Sequence, residues 1–199
     1  MKLIFNILKT LLALLGLAGV STLVATVQIR RLTGAQATPT STDVTSGSVH
    51  AGTQDANTSP CRIPVPTSGS NYSFWVNTQL HCTVAPDNSL TNVFFYTDGA
   101  NGFGTDVTAI VSTASTYASA LGAAGSSGSL LNQTNHASLT GATSNLFLYT
   151  SSCKLTVAGS IAATTGSFTN RVVYQLIVAS NASAGNTGGE LMTWTFDEA

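Results

Sequence analysis

The chain has 199 residues, of which 43% are hydrophobic and only 8% are charged, whereas a typical soluble domain carries about 25% charged residues. Disordered chains combine low hydrophobicity with high net charge, and nucleic-acid-binding proteins present basic patches to the phosphates. Seven Lys and Arg and a formal net charge of −1 exclude both classes.

The N-terminal part is predicted to be a targeting or membrane segment. Residues Thr10 to Ile29 carry no charge, and a helix of this length, rising about 1.5 Å per residue, covers the hydrocarbon core of a bilayer. A signal-anchor helix, with Arg30-Arg31 as a stop-transfer pair, and a signal peptide cleaved at the A-x-A sequence Ala35-Gln36-Ala37 are both consistent with residues 1–37. Either interpretation exports the remainder of the chain, so we expect an extracellular or cell-surface location.

Residues 38–70 are predicted to form a spacer. They contain many Thr, Ser, Gly and Pro and few large apolar residues, a composition that buries too little surface to order itself. Val44 and Val49 are too sparse for a strand of their own, although such a segment could add to the sheet edge of another subunit.

From residue 71 the pattern changes to short β-branched and aromatic runs separated by turn residues, which is typical of strands. The predicted strands, in chain order, are Tyr72 to Val84, Leu90 to Thr97, Val107 to Ser112, Leu146 to Thr150, Leu155 to Ala162, Val172 to Ala179 and Leu191 to Phe196. A single immunoglobulin-like β-sandwich over residues 71–199 is expected, with a jelly roll as the alternative. Val172 to Ala179 is the most apolar run and should be central, and Trp194 should anchor the core from the last strand.

Three cysteines lie in the exported part, where disulfides persist. Cys82 and Cys153 fall on or beside predicted strands, and a bond between them would stabilise the fold by roughly 4 kcal/mol in the chain-entropy model. Cys61, in the proline-rich approach to the domain, is the alternative partner of Cys82.

Four N-x-S/T sequons begin at Asn57, Asn71, Asn132 and Asn181. In an exported chain they are candidate glycan acceptors. Ser and Thr occupy 53 positions, so about half of the four could arise by chance.

No catalytic motif stands out, and we expect a protein that is not an enzyme and needs no cofactor. Hydrolases of the Ser-His-Asp type require a nucleophile and a base within hydrogen-bond reach, but His81 and Cys82 are sequence neighbours that point to opposite faces of a strand. The glycine-rich stretch Asp98 to Gly104 offers one weak metal site, in which Asp98, Asn101 and Asp106 would supply oxygen ligands to calcium. A plain hairpin loop is the preferred interpretation of the same residues.

The stretches NVFFYTDGANGFGTDV (92–107) and ELMTWTFDE (190–198) resemble archaeal-type secreted surface proteins, among them pilin-like or thread-like subunits of extracellular filaments. Such subunits combine a β-sandwich with an N-terminal segment that packs into, or completes, a neighbouring subunit. A glycine before the apolar helix is usual for pilin processing, and here Thr10 follows Lys9 directly.

The resemblance implies a non-catalytic structural subunit that binds copies of itself, and the membrane through residues 10–29 if they are retained. A membrane-anchored adhesin or carbohydrate-binding module using Trp75, Tyr96 or Tyr149 is the alternative, and a virion structural protein is another. No nucleic-acid partner is expected.

Overall fold

The computed structural model describes residues 25–51, 63–114, 116, 138–141, 143–184 and 189–198. Within these ranges the chain is mainly β and every strand pairing is antiparallel. The strands are β1 (Thr26–Thr33), β2 (Thr40–Asp43), β3 (Ser70–Tyr72), β4 (Val76–Val84), β5 (Leu90–Thr97), β6 (Val107–Ala114), β7 (Ser144–Asn145), β8 (Leu155–Val157), β9 (Gly166–Ser167), β10 (Arg171–Ala179) and β11 (Met192–Glu198).

Two sheets are arranged as in a sandwich. The larger sheet has the order β2-β1-β4-β10-β6-β7, with β3 also paired to β10 and β9 to β4, and the smaller sheet has the order β11-β5-β8. Both sheets contribute to one hydrophobic core. The predicted mainly β fold is therefore confirmed at the level of its sheets.

Side-chain alternation determines which face of each strand enters the core. Along β4 the residues Val76, Leu80 and Cys82 are buried in the core cluster, and Asn77, Gln79 and His81 point to the opposite face because the side-chain period of a strand is two. Phe95 of β5 supplies the largest fully buried ring from the smaller sheet. Trp194 of β11 packs edge-on against it at a centroid distance of 5.4 Å, as the sequence predicted.

Several predicted strands form where the pattern placed them. β5 has the predicted bounds, and β10 is central, between β4 and β6. The prediction of a strand over Leu146 to Thr150 was wrong. Leu146–Leu148 instead form a short 3-10 helix, because the Asn145 side chain caps the backbone N–H of Phe147 and turns the chain there.

The N-terminal boundary also differs from the prediction. Residues Thr26 to Ile29, assigned to the apolar helix, begin β1, which pairs with β4 over Thr26 to Leu32 and with β2 over Arg30 to Thr33. Residues 1–24, which include most of the predicted helix, lie outside the described residues. Among the residues that the structure describes, no helix combines the length and the apolar composition needed to cross a bilayer.

Part of the predicted spacer belongs to the sandwich as well. β2 lies within residues 38–70, and Val44 is buried with its N–H donating to the Ile29 carbonyl at 2.8 Å. Val49 and Ala51 pack against the core cluster. Residues 26–51 thus cover the chain's own sheet, because their backbone groups and few apolar side chains find partners there.

Candidate functional site

The N-terminal segment joins the sandwich at one end of the larger sheet. Thr26 is the register partner of Val84, where β4 ends, and the Glu198 carboxylate at the end of β11 accepts a hydrogen bond from the Asp87 N–H at 2.9 Å. We call this end, formed by Thr26, Val84, Asp87 and Glu198, the entry pole. The described residues begin at Ala25, which directly precedes β1.

Two apolar side chains lie exposed near the entry pole. Val84, the last residue of β4, is 39% exposed, and Phe196, near the end of β11, is 37% exposed.

β1 is held by more than its backbone ladder. Arg31, which the sequence interpretation placed at a membrane surface, is fully buried in the sheet. Its register partner Thr78 and its strand neighbour Ile29 both lie on the core-facing side of the sheet. Burial raises the pKa of Tyr174 to about 12, and the nearby Arg31 guanidinium offsets part of that rise. Taking a guanidinium out of water is costly and has to be offset by the groups around it, so Arg31 stays buried only where the rest of the sheet surrounds it.

The opposite end of the sandwich holds the loop between β5 and β6. β4 is nine residues long, which at about 3.3 Å per residue places the two ends about 30 Å apart. Asn101 organises this loop, donating from Nδ2 to the carbonyls of Gly104 and Val107 and accepting through Oδ1 from the Phe103 N–H. We call this end, formed by residues 98–106, 179–182 and 189–190, the distal pole.

Two of the predicted calcium ligands, Asp98 and Asn101, have hydrogen-bond partners within the loop. The Asn101 side chain bonds to backbone groups of its own loop, and the Asp98 carboxylate accepts a hydrogen bond from the Ala100 N–H at 2.8 Å. Asp106 adopts a left-handed backbone conformation with φ of 61°. Across the described ranges no three His, Cys, Asp or Glu residues are grouped as a metal site. These hydrogen bonds are typical of a hairpin loop, and the calcium site stays a prediction.

Sequence reasoning missed the true partner of Asp98. Glu190 accepts a hydrogen bond from the Gly102 N–H at 3.1 Å and lies beside the Asp98 carboxyl. Burial first, and then the charge of Asp98, raise the pKa of Glu190, while the hydrogen bond from Gly102 opposes that rise. The two acids are 92 residues apart in the chain, so no local pattern relates them.

The cysteines do not form the predicted bond. Cys82 is buried in the core and Cys153 is exposed, and each is a free thiol. The prediction of a Cys82–Cys153 disulfide was wrong because Cys82 points between the sheets while Cys153 sits in a surface turn. Burial raises the pKa of the Cys82 thiol, and Glu198 adds to that rise. Cys61 lies outside the described residues.

Two of the four sequons lie where the structure describes them. Asn181 is exposed in the turn after β10, at the distal pole. Asn71 is half-buried in β3, and its Nδ2 donates to the Pro64 carbonyl at 2.6 Å, so a glycan there would cost this hydrogen bond. Asn57 and Asn132 lie outside the described ranges.

His81 and Cys82 point to opposite faces, as expected. His81 instead contacts Ser167, whose Oγ lies 2.8 Å from Nδ1, a pairing that the sequence could not show across 86 residues. Burial and the charge of Arg30 lower the pKa of His81. A catalytic base needs an acid that favours the protonated ring, and an adjacent guanidinium has the opposite effect.

The three aromatic side chains predicted to bind a ligand differ in their exposure and contacts. Trp75 is buried at 7% exposure in a cluster with Leu139 and Val173, so it cannot serve as a platform. Tyr149 is half-buried and packs against the core. Tyr96 is half-exposed, and the Lys154 ammonium covers its ring at 5.4 Å from the centroid.

Comparison of the chain with protein-family models, with curated proteins and with solved structures finds no match.

Proposed function

We propose that the protein is a non-catalytic structural subunit of a cell-surface assembly or extracellular filament, linked to its neighbours through residues 1–24. The apolar sequence that runs directly into β1 carries the proposal. Residues 26–51 are occupied in the chain's own sandwich, which leaves the segment before them as the part available to bind another subunit or a membrane.

The surface of the folded body supports this role. The larger sheet ends on one side at β2, whose four residues are all polar, and polar edges protect a sheet from indiscriminate pairing. Few charges have to be desolvated when faces of such a weakly charged body meet. Contacts between subunits would then be directed by the N-terminal segment rather than by edge strands.

The proposal includes the immunoglobulin-like topology of the sandwich and the export of the body. Two facing antiparallel sheets are consistent with that topology. Asn181, the exposed glycan candidate, lies at the distal pole, away from the segment that would be packed in an assembly or membrane.

The test compares the full chain with a chain that begins at Ala25. Sedimentation and electron microscopy should find the full chain in fibres or large assemblies, and the shorter chain folded and monomeric, because all described strands remain in it. Membrane association of the full chain without assemblies would favour the anchored adhesin instead. Equal assembly of both chains would refute linkage through residues 1–24.

A further inference from the structure

A groove with two arginines lies on the larger sheet, on the face opposite the core. It has a volume of about 420 Å³ and is lined by residues from β1, β2, β4 and the β9–β10 segment. Arg30 of β1 pairs in register with Gln79 of β4, and Val172 of β10 pairs with Thr78 of β4. Because β4 and β10 are antiparallel, Arg171 lies opposite Gln79. Arg30, Gln79 and Arg171 therefore form a row across three adjacent strands.

The spacing of this row suits an oxyanion. Neighbouring strands lie about 4.8 Å apart, so the backbones of Arg30 and Arg171 are separated by about 10 Å with Gln79 between them. Gln79 is buried and its side-chain amide donates to the Phe168 carbonyl, which gives the groove a fixed floor. Both guanidinium groups belong to half-buried residues, where a charge-assisted hydrogen bond is stronger than in water.

No carboxylate is among the residues that line the groove, although Asp and Glu outnumber Lys and Arg in residues 32–199. Asp43, the register partner of Arg30, is an acid on the same face. Its carboxylate accepts hydrogen bonds from the Thr45 N–H and hydroxyl at 2.9 and 2.6 Å. His81 lies beside the groove, with its Nδ1 2.8 Å from the Oγ of Ser167, and its pKa is lowered first by burial and second by the charge of Arg30.

The rest of the lining suits a sugar. Hydroxyl groups come from Ser41, Ser167 and Thr169, all of them exposed. The volume falls within the range of about 300–1,000 Å³ common for small-ligand sites, and a lone sulfate ion would fill only a small part of it.

We propose that this groove binds an acidic saccharide, with Arg30 and Arg171 holding its carboxylate or sulfate group and the surrounding hydroxyls binding the ring. Guanidinium N–H groups donate to the oxygens of such a group, and Arg30 also donates from Nε and Nη2 to Gln28 Oε1 at 3.1 and 3.0 Å.

The test is calorimetric titration of the full chain with sodium glucuronate, with glucose and sodium sulfate as comparison ligands. Glucuronate should bind and glucose should bind at least tenfold more weakly, because the charged group supplies the recognition. Bound glucuronate should also raise the pKa of His81, measured by NMR. Equal binding of glucose, or binding of sulfate without glucuronate (an adventitious ion only), would overturn the proposal.

Charge variants distinguish binding in this groove from nonspecific electrostatic attraction of glucuronate to the protein. Arg30→Gln and Arg171→Gln should each weaken glucuronate binding about tenfold, the loss expected for one charge-assisted hydrogen bond. Lys154→Gln removes one positive charge from the smaller sheet and should leave binding unchanged.

Two further variants keep the test valid if an arginine variant misfolds. Ser41→Asp, on the exposed edge strand β2, places a carboxylate in the groove and should abolish binding. Asp43→Asn should strengthen it. A Lys154→Gln effect equal to that of Arg171→Gln, or unchanged binding by Ser41→Asp, would contradict the assignment.

Discussion

Removal of β1 should destroy most of the stability of the sandwich. A chain beginning at Thr38, the product of cleavage after Ala37, lacks the whole of β1. It loses the buried Leu32 and the core contacts of Val27 and Ile29. Full burial of one such side chain contributes about 1.5–3 kcal/mol, so Leu32 in full and the other two at half give about 4 kcal/mol.

The lost ladder and the newly exposed edge of β4 add to this cost. β4 is paired with β1 along most of its length, and its Leu80 and Cys82 would lose the strand that covers them. Since domains have a net stability of about 5–15 kcal/mol, the chain from Thr38 should be largely unfolded or aggregated.

Urea denaturation followed by circular dichroism measures this effect, with the chain from Ala25 as the matched control. The control should unfold in one cooperative transition, and Leu32→Ala in it should give an intermediate midpoint because loss of a buried leucine costs about 2–5 kcal/mol. Superimposable transitions for the chains from Thr38 and Ala25 would refute the role given to β1.

Three other regions give tests of the same structure. The folded-state pKa of Glu190 is raised, so its neutral form favours folding, and its contribution to stability is largest below the ordinary pKa of a carboxyl and declines as pH rises through the raised value. In thermal denaturation, Glu190→Gln should therefore be more stable than the parent at pH 7 and no more stable at pH 3. A constant difference at both pH values would argue against this. Native-state alkylation should modify Cys153 and spare Cys82 until the chain unfolds, and a midpoint lowered by reductant would contradict the two free thiols. In a glycosylating secretory host, mass spectrometry should find glycan on Asn181 and none on Asn71; the reverse occupancy would show that β3 does not form before modification.

The strands predictable from sequence were those with a clear period and clear ends. β5 lies between a proline-containing turn and the loop that starts at Asp98, and both boundaries agree with the structure. The central place of β10 is predictable because it is the most apolar of the predicted strands. The loop from Asp98 to Gly104 is predictable because it is dense in residues that adopt positive φ.

The start of the domain was not predictable by the same means. Val27 and Ile29 alternate in β1, but they continue the apolar run before them, so the change from one structure to another leaves no break in hydropathy. Arg31 made β1 still harder to predict, because a guanidinium is rarely placed inside a core. Neither the pairing of Glu190 with Asp98 nor the row from Arg30 to Arg171 has a local sequence signal, since both arise from strand register.

The position of β1 inside the sheet limits how the native protein can be processed. If the strand is an internal part of the sandwich, processing cannot remove it without unfolding the body, and the segment before it is what remains to link subunits.

Intact-mass measurement and N-terminal sequencing of the native exported protein test this most directly. The structure predicts a mature chain that begins at or before Thr26, with β1 retained. A folded native protein beginning at Thr38 would contradict both the place of β1 in the sheet and linkage through residues 1–24.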